Sequence, residues 1–423
     1  MFYTGRKMER IGILGGTFDP VHNMHIKMAK EAKEQFDLKC VLLMPNPNPG
    51  YKSNKSITDI KVRCEMLKIA ENKEDGIFFS DFELKREGAV YSADTVCMLR
   101  EEWPDTEIFF IAGQDSLLSL ESWHDPGRFL KNCVFVVAER AEKNTGENEA
   151  LTPEKSKSLT PETPEALKLK EAEALSLKEK YGADIRFLKL CDDPVSSTDI
   201  RKRAELGMDI SAFLPRGVCE YINKNGLYLT EKSEKIRQIK SDLKKIQNNH
   251  RFSHTKGVAE TAYALAACFN EDTHDAYVAG LLHDCAKTMS DASKIKLCVE
   301  NGIEISDAER INPFLLHAKA GAHLAKEKYG ITNEGILSAI RFHTTGRADM
   351  TMLEKIIFTA DYIEPGRDKA ENLAMLRKLA FEDLDKTVYT ILRDTVSYLK
   401  RSHGDAIDET TVRAFEFYKR RFE

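Results

Sequence analysis

Apolar residues in the first half of the chain gather into six short runs, at residues 11–14, 41–44, 77–82, 107–112, 133–138 and 185–190. Each has the length of a buried strand, and stretches with helical spacing separate them. Strands alternating with helices predict an α/β doubly wound, Rossmann-like, mostly parallel sheet over residues 1–230. Ligands of such sheets bind beyond the carboxyl ends of the strands. Residues 141–180 interrupt this rhythm: they are rich in Lys, Glu, Ser, Thr and Pro and read as a mobile surface insertion ending in an exposed helix. After residue 230 the strand runs disappear. Amphipathic patterns such as 255–269 and 275–287 predict an all-α domain over residues 231–423.

Composition sharpens the picture. A chain of 423 residues exceeds one ordinary core, so two domains are expected. Hydrophobic residues at 42% and charged residues at 31% fit a soluble globular protein. The net charge of −5, with both signs interspersed, offers no surface for coating a polyanion. Nucleic acid is therefore not an expected partner, and the phosphates of a small substrate must be met locally. No apolar run has the length of a membrane span. The nine cysteines form no CxxC pair, and Cys133, Cys219 and Cys268 lie in apolar runs, as reduced thiols of a cytoplasmic protein would. An oligomer is compatible with all of this.

The first run leads into Gly15-Gly16-Thr17-Phe18-Asp19-Pro20-Val21-His22-Asn23-Met24-His25 and a helical pattern over 22–36. Strand, glycine turn and helix start together make a phosphate site. His22 and His25 are three apart, so they share a face of the first helical turn and suit charge stabilisation during transfer at phosphorus. Lys52 ends a Pro- and Gly-rich loop after the second run, as a phosphate contact or a solvated lysine. Tyr91 precedes Ser92, which is placed to cap a helix from about residue 93. Asp115 is a candidate N-cap after the fourth run. Trp123, beyond it, is suited either to stacking on a flat ring or to anchoring the loop. Ser196, Ser197 and Thr198 open a further helix whose free N–H groups can take phosphate, and Arg201 one turn in adds charge.

In the second half, His254, His283-Asp284, His317, His343 and Asp361 form a series on apolar helical stretches. Buried imidazoles and carboxylates are costly unless bound to something, and this donor set suits iron, manganese or a similar cation. Six ligands with a bridging Asp284 suit two metals rather than one. In that arrangement His254, His283 and Asp361 hold one, and His317 and His343 the other; the alternative makes His317 and His343 substrate contacts around a single metal.

Two resemblances gather these residues. The stretch Gly16-x-Phe18-x-x-x-His22-x-x-His25, followed by Gly113-x-Asp115…Trp123 and Ser196-Ser197-Thr198…Arg201, resembles the nicotinate-nucleotide adenylyltransferases. Met24 and Tyr51 depart from the usual bacterial pattern. The resemblance implies transfer of AMP from ATP to nicotinate mononucleotide, with Mg²⁺ as cofactor. It gives His22 and His25 the catalytic role, and assigns Gly15, Gly16, Thr17, Phe18, Lys52, Ser196, Ser197, Thr198 and Arg201 to ATP and its phosphates. It places Tyr91, Ser92, Asp115 and Trp123 at the nicotinate. The second half is similar to HD-superfamily symmetrical diadenosine-tetraphosphate hydrolases, through Gly280-Leu281-Leu282-His283-Asp284-x-x-Lys287 and Ala360-Asp361-Tyr362-Ile363-Glu364-Pro365-x-Arg367. That similarity implies a dinuclear iron or other divalent transition-metal centre with Asp284 as catalytic ligand, Lys287 and Arg367 as polyphosphate contacts, and diadenosine tetraphosphate split into two ADP. The alternatives are a pantetheine-phosphate or cytidylyl transferase joined to an HD phosphodiesterase or a regulatory metal-binding module.

Overall fold

The six apolar runs become six strands of one parallel sheet in a computed structural model of the chain, which describes residues 8–47, 57–86, 88, 90–139, 164–190, 195–368, 372–403 and 407–423. The strands β1 (Glu9–Gly16), β2 (Cys40–Pro45), β3 (Ile77–Phe79), β4 (Thr106–Gly113), β5 (Val134–Glu139) and β6 (Asp184–Lys189) lie in the order β3-β2-β1-β4-β5-β6. Connections run outward in both directions from the β1–β4 pair, where Ile13 pairs with Phe110 and Leu14 with Ile111. The strand order reverses there, which opens a crevice at the carboxyl end of the sheet.

The strands read as continuous apolar runs because both faces are covered. Leu14, Leu43, Phe109, Ile111 and Val136 feed one core. Their neighbours Ile13, Met44, Ile108, Phe110 and Phe135 feed the other. Helices α1 (Asn23–Gln35), α2 (Ile60–Ala70), α7 (Ser197–Glu205) and α8 (Arg216–Asn225) supply residues to the first core. The second core takes residues from α3 (Ser92–Glu102), α4 (Gln114–Ser119), α5 (Pro126–Asn132) and α6 (Pro164–Tyr181).

Three local expectations change. The third strand stops at Phe79, and Phe82–Lys85 turn as a 3-10 segment after Ser80, whose hydroxyl accepts from the Phe82 N–H. Helix α3 already includes Ser92, with Tyr91 as its N-cap, and α4 starts from Gly113, so Asp115 sits in its first turn. Helix α6 is not an exposed appendage: Leu177 is fully buried in the second core, which makes α6 the covering helix of the β5–β6 crossover. The part of the expected insertion at 141–163 lies outside the described residues.

The chain divides into two compact units, the second being Thr230–Glu423 with the turn Leu206–Met208. It is built from helices α9 (Glu231–Ile246), α10 (Asn249–Cys268), α11 (Thr273–Leu282), α12 (Asp291–Glu300), α13 (Asp307–Ile311), α14 (His317–Glu327), α15 (Glu334–Phe342), α16 (Met352–Ile363), α17 (Leu373–Leu379), α18 (Leu384–His403) and α19 (Glu409–Phe422). The side chains of Asn248, Asp272, Ser290, Ser306, Asn333 and Thr351 accept first-turn N–H groups and set where α10, α11, α12, α13, α15 and α16 begin. Gly280 lets α11 pack tightly on α10, since a Cβ there would lie 2.7 Å from the Ala259 Cα. No described helix is long and apolar enough to cross a membrane.

Candidate functional site

Two constellations emerge, one in each unit. In the first, every described element expected at the site lies at the carboxyl end of the sheet. Gly15 and Gly16 end β1. Thr17 and Phe18 are buried in the turn that follows, with Phe18 at φ 50°. His22 is the N-cap residue of α1 and His25 its third residue, so their imidazoles stack with centroids 3.7 Å apart. The backbone N–H of His22 donates to His25 Nδ1 at 3.2 Å, which leaves the His25 proton on Nε2 in the neutral ring. Burial lowers the pKa of His22 to about 3, so this imidazole enters the site as a neutral donor.

The β1 turn and the start of α7 are joined. Ser197 Oγ donates to the Pro20 carbonyl at 3.0 Å, and Arg201 donates to the Asp19 carbonyl. Ser196 caps α7 by accepting from the Asp199 N–H at 3.1 Å, while Arg201 also donates to Thr198 at 3.3 Å. The two sequence stretches read as phosphate sites, 177 residues apart at Pro20 and Ser197, are therefore one cradle.

Arg63 carries much of this geometry and had no signal in the sequence, where a lone arginine on an amphipathic helix reads as a solvated charge. Its side chain is buried and donates to the carbonyls of Thr58 (2.9 Å), Thr17 (2.7 Å), Asn46 (3.0 Å) and Pro47 (3.4 Å). One planar fork thus ties the loops after β1 and β2 to the start of α2. Asp19, beside it, accepts from Tyr228 Oη at 2.9 Å and the Thr58 N–H at 3.3 Å. Lys52 lies outside the described residues.

Of the residues expected at the nicotinate, Tyr91 and the Trp123 loop are brought together. Trp123 is half-buried, with its ring 5.4 Å from Phe129 and 6.3 Å from Phe110. That packing anchors the indole from behind. Its neighbour His124 stacks on Tyr91 at 4.1 Å, which brings the start of α3 to the Trp123 loop. The sequence pattern carries no signal for His124, whose partner Tyr91 is distant along the chain. Asp115 is exposed on α4, and Ser92 opens α3.

In the second unit, His254 on α10, His283 and Asp284 after α11, His317 opening α14, His343 after α15 and Asp361 on α16 converge. Three imidazoles are oriented by their own chain. Nδ1 of His283, His317 and His343 donates to the carbonyls of Gly280 (2.6 Å), Phe314 (2.7 Å) and Ile340 (2.7 Å). The fourth, His254, points Nδ1 at the buried Glu364 carboxylate at 3.0 Å. Each ring therefore turns Nε2 toward the cluster. Glu364 sits where it does because residue 257 is glycine: a Cβ there would lie 2.5 Å from its Oε2.

Asp284 stands at the centre and divides the cluster. Its Oδ2 is 3.5 Å from His283 Nε2 and 3.9 Å from His254 Nε2. Its Oδ1 is 3.3 Å from His317 Nε2 and 3.6 Å from His343 Nε2. Asp361 completes the first side, 3.2 Å from His254 Nε2. Nε2 of His254, Nε2 of His283 and Oδ1 of Asp284 are buried without a hydrogen-bond partner. Buried orphans aimed at one another are the donor set of a cation, and the residues fit a divalent metal. Two groupings bring ligand atoms within 4.8 Å of one another: His254, His283 and Asp361, and His283, Asp284 and His343.

The electrostatics agree. Burial works against the charge on His254, but the carboxylates of Asp361 and Glu364 beside it raise its pKa to about 9. Burial, with His343 and Lys287 nearby, lowers that of His317 to about 3. Asp284 is held well below the usual carboxylate range despite its burial, chiefly by His283. Three cations reach the cluster. Lys287 lies 3.0 Å from His317 Nε2, Arg367 donates to Asp361 at 2.7 Å, and Arg251 donates to Asp284 at 2.7 Å. Glu364 belongs to the Ala360–Arg367 stretch, and Arg251 lies in the first turn of the helix that carries His254; both reach the cluster only in the fold.

Comparison with known proteins follows the same division. Residues 13–203 match the family model described as Cytidylyltransferase-like, and residues 251–366 match the HD domain. A Mycoplasma genitalium protein named "Probable nicotinate-nucleotide adenylyltransferase/Ap4A hydrolase" is 28% identical over 93% of this chain and 98% of its own. A Lachnoclostridium phytofermentans protein named "Probable nicotinate-nucleotide adenylyltransferase" is 34% identical over 52% of this chain and 100% of its own. The crystal structure of a "predicted HD superfamily hydrolase involved in NAD metabolism" from Clostridium acetobutylicum shares 41% identity over 44% of this chain and 97% of its own, with a TM-score of 0.42.

Proposed function

The chain belongs to the nicotinate-nucleotide adenylyltransferase family, and from that membership we propose that it is an enzyme with two activities divided near Thr230. The first unit transfers AMP from ATP to nicotinate mononucleotide, giving nicotinate adenine dinucleotide and pyrophosphate. A phosphate oxygen of the mononucleotide attacks the α-phosphorus in line, and the bond to the bridging oxygen of pyrophosphate breaks. No side chain need become covalent, so positioning and charge stabilisation carry the rate. The observation behind this reading is the single cradle formed by the β1 turn and the α7 start. Within it, His22 and His25 offer donors to the transferring phosphate, and Ser196 to Arg201 with Lys52 gather the β- and γ-phosphates. Mg²⁺ supplies neutralisation of the triphosphate. Trp123, backed by Phe129 and Phe110, presents a flat face for the pyridine beside Tyr91 and Ser92.

The second unit, an HD domain, splits diadenosine tetraphosphate into two ADP. Asp284 faces His254 and His283 with Oδ2 and His317 and His343 with Oδ1, which favours a pair of metals over one; His254, His283 and Asp361 would hold one, and His317 and His343 the other. A bound pair of divalent ions, iron among them, supplies Lewis acidity toward phosphate and water. Arg251, Lys287 and Arg367 gather the negative charge of the phosphates around it.

Incubating the purified protein with ATP and a panel of acceptors, and separately with dinucleoside polyphosphates, tests both halves. The expected products are nicotinate adenine dinucleotide and pyrophosphate, and two ADP per diadenosine tetraphosphate. Preference for phosphopantetheine or a cytidylyl donor, or products other than ADP, overturns the corresponding half.

A further inference from the structure

We propose that Phe314 is a nucleobase platform beside the histidine–aspartate cluster of the second unit, taking one purine of a dinucleoside polyphosphate whose phosphates meet Lys287, Arg251 and Arg367. The inference rests on the hydrolase reading above and deepens it by naming how the nucleoside is recognised. Phe314 lies in the 3-10 turn Pro313–Leu316 that immediately precedes His317. Its carbonyl accepts from His317 Nδ1 at 2.7 Å, so its backbone is fixed to the cluster. Its ring lies 5.2 Å from the His317 ring. Within the same turn Leu316 is fully buried, yet Phe314 is 51% exposed. An anchor would have gone the way of Leu316; an aromatic ring left half in solvent beside a polar cluster has a face to offer.

What surrounds the ring is cationic. Lys287 Nζ lies 4.5 Å from its centroid and Lys294 Nζ 5.9 Å. Lys294 is already paired with Asp291 at 2.8 Å and nearly buried. Lys287 is the connecting group: the same ammonium is 3.0 Å from His317 Nε2 and 3.3 Å from Asp284 Oδ1. An aromatic face one side chain away from a phosphate-gathering centre is the arrangement that binds a nucleotide by base and phosphate together. Stacking reads a π face rather than a hydrogen-bond edge, so adenine and guanine should be accepted alike.

The test uses the full-length, metal-loaded protein. Loss of a base stack weakens binding roughly ten- to hundredfold. Phe314→Ala should raise KM for diadenosine tetraphosphate by that factor with little change in kcat, while inhibition by inorganic tripolyphosphate, which has no base, stays as in the wild type. F314W should keep the wild-type KM. Its added emission, isolated by subtracting the wild-type signal, should be quenched by ADP and not by tripolyphosphate. An unchanged KM in Phe314→Ala, an equal weakening of both ligands, or an F314W signal indifferent to ADP overturns the platform. ADP quenching in F314W by a protein that cleaves no dinucleoside polyphosphate would leave the platform standing and remove the hydrolase reading alone.

Discussion

An imidazole 4% exposed in the turn between a strand and a helix start is held neutral by its burial, and His22 is in that position. In the proposed transfer its value lies in being placed before the triphosphate arrives. Removing one preorganised donor costs ~10²–10³ in turnover. His25→Ala should therefore lose kcat of adenylyl transfer by about that factor with a small change in KM, by steady-state kinetics; near-normal turnover would free His25 of the role. Burial of His22 also makes a stability claim. Its folded pKa of about 3 lies below the ordinary 6.5, so the unfolded chain binds the extra proton first as pH falls. The stabilising preference for the neutral ring is full above 6.5 and is lost progressively as pH falls toward 3. Between pH 7 and pH 5 that loss is roughly 2 kcal/mol. Denaturant unfolding followed by tryptophan emission reads the first unit alone, because both tryptophans, Trp103 and Trp123, lie in it. Stability of His22→Gln should fall less than wild type over that interval; parallel losses would show that His22 does not titrate this way.

At the scale of elements, single side chains hold loops and helices in register. Arg63 joins two loops and a helix start through four carbonyls. Arg63→Met leaves those acceptors in a dry environment, at about 1–3 kcal/mol for each one left unpaired. Its denaturation midpoint should drop and its KM for ATP rise, with Arg63→Lys intermediate; an unchanged midpoint and KM would make the fork dispensable. Glu364 does the same for the metal side, fixing His254 so that Nε2 faces inward. Removing such an outer partner typically costs ~10–100-fold in metal affinity. Glu364→Ala, and Gly257→Ala by displacing the carboxylate, should both show weaker metal uptake in competitive chelator titrations; wild-type affinity in both would separate Glu364 from the metal. The sheet, the glycine turn and the histidine series were legible because each follows a local pattern, alternating strand runs or like residues on apolar helices. Arg63, His124 and Glu364 were not, because their roles depend on partners distant in sequence. The burial of α6 was hidden for another reason: a polar helix with one deeply inserted leucine, Leu177, carries almost no periodic signal.

For the whole molecule, three apolar cores and two constellations are divided between two compact units, so the two proposed chemistries should be separable by single substitutions. The histidine–aspartate cluster lies among the helices of the second unit, and the β1 turn with the α7 start lies at the carboxyl end of the sheet of the first. Nothing in the transfer chemistry calls for the metals of the second unit, and nothing in the hydrolysis calls for the stacked histidines of the first. One chromatographic measurement tests this account most directly. Wild type, His22→Ala and Asp284→Ala are each given ATP with nicotinate mononucleotide, and in a parallel reaction diadenosine tetraphosphate, and the products are resolved. The account predicts both product sets from wild type, loss of nicotinate adenine dinucleotide alone in His22→Ala, and loss of ADP release from diadenosine tetraphosphate alone in Asp284→Ala. Either variant losing both activities while still folded, or a wild type forming neither product set, would contradict it.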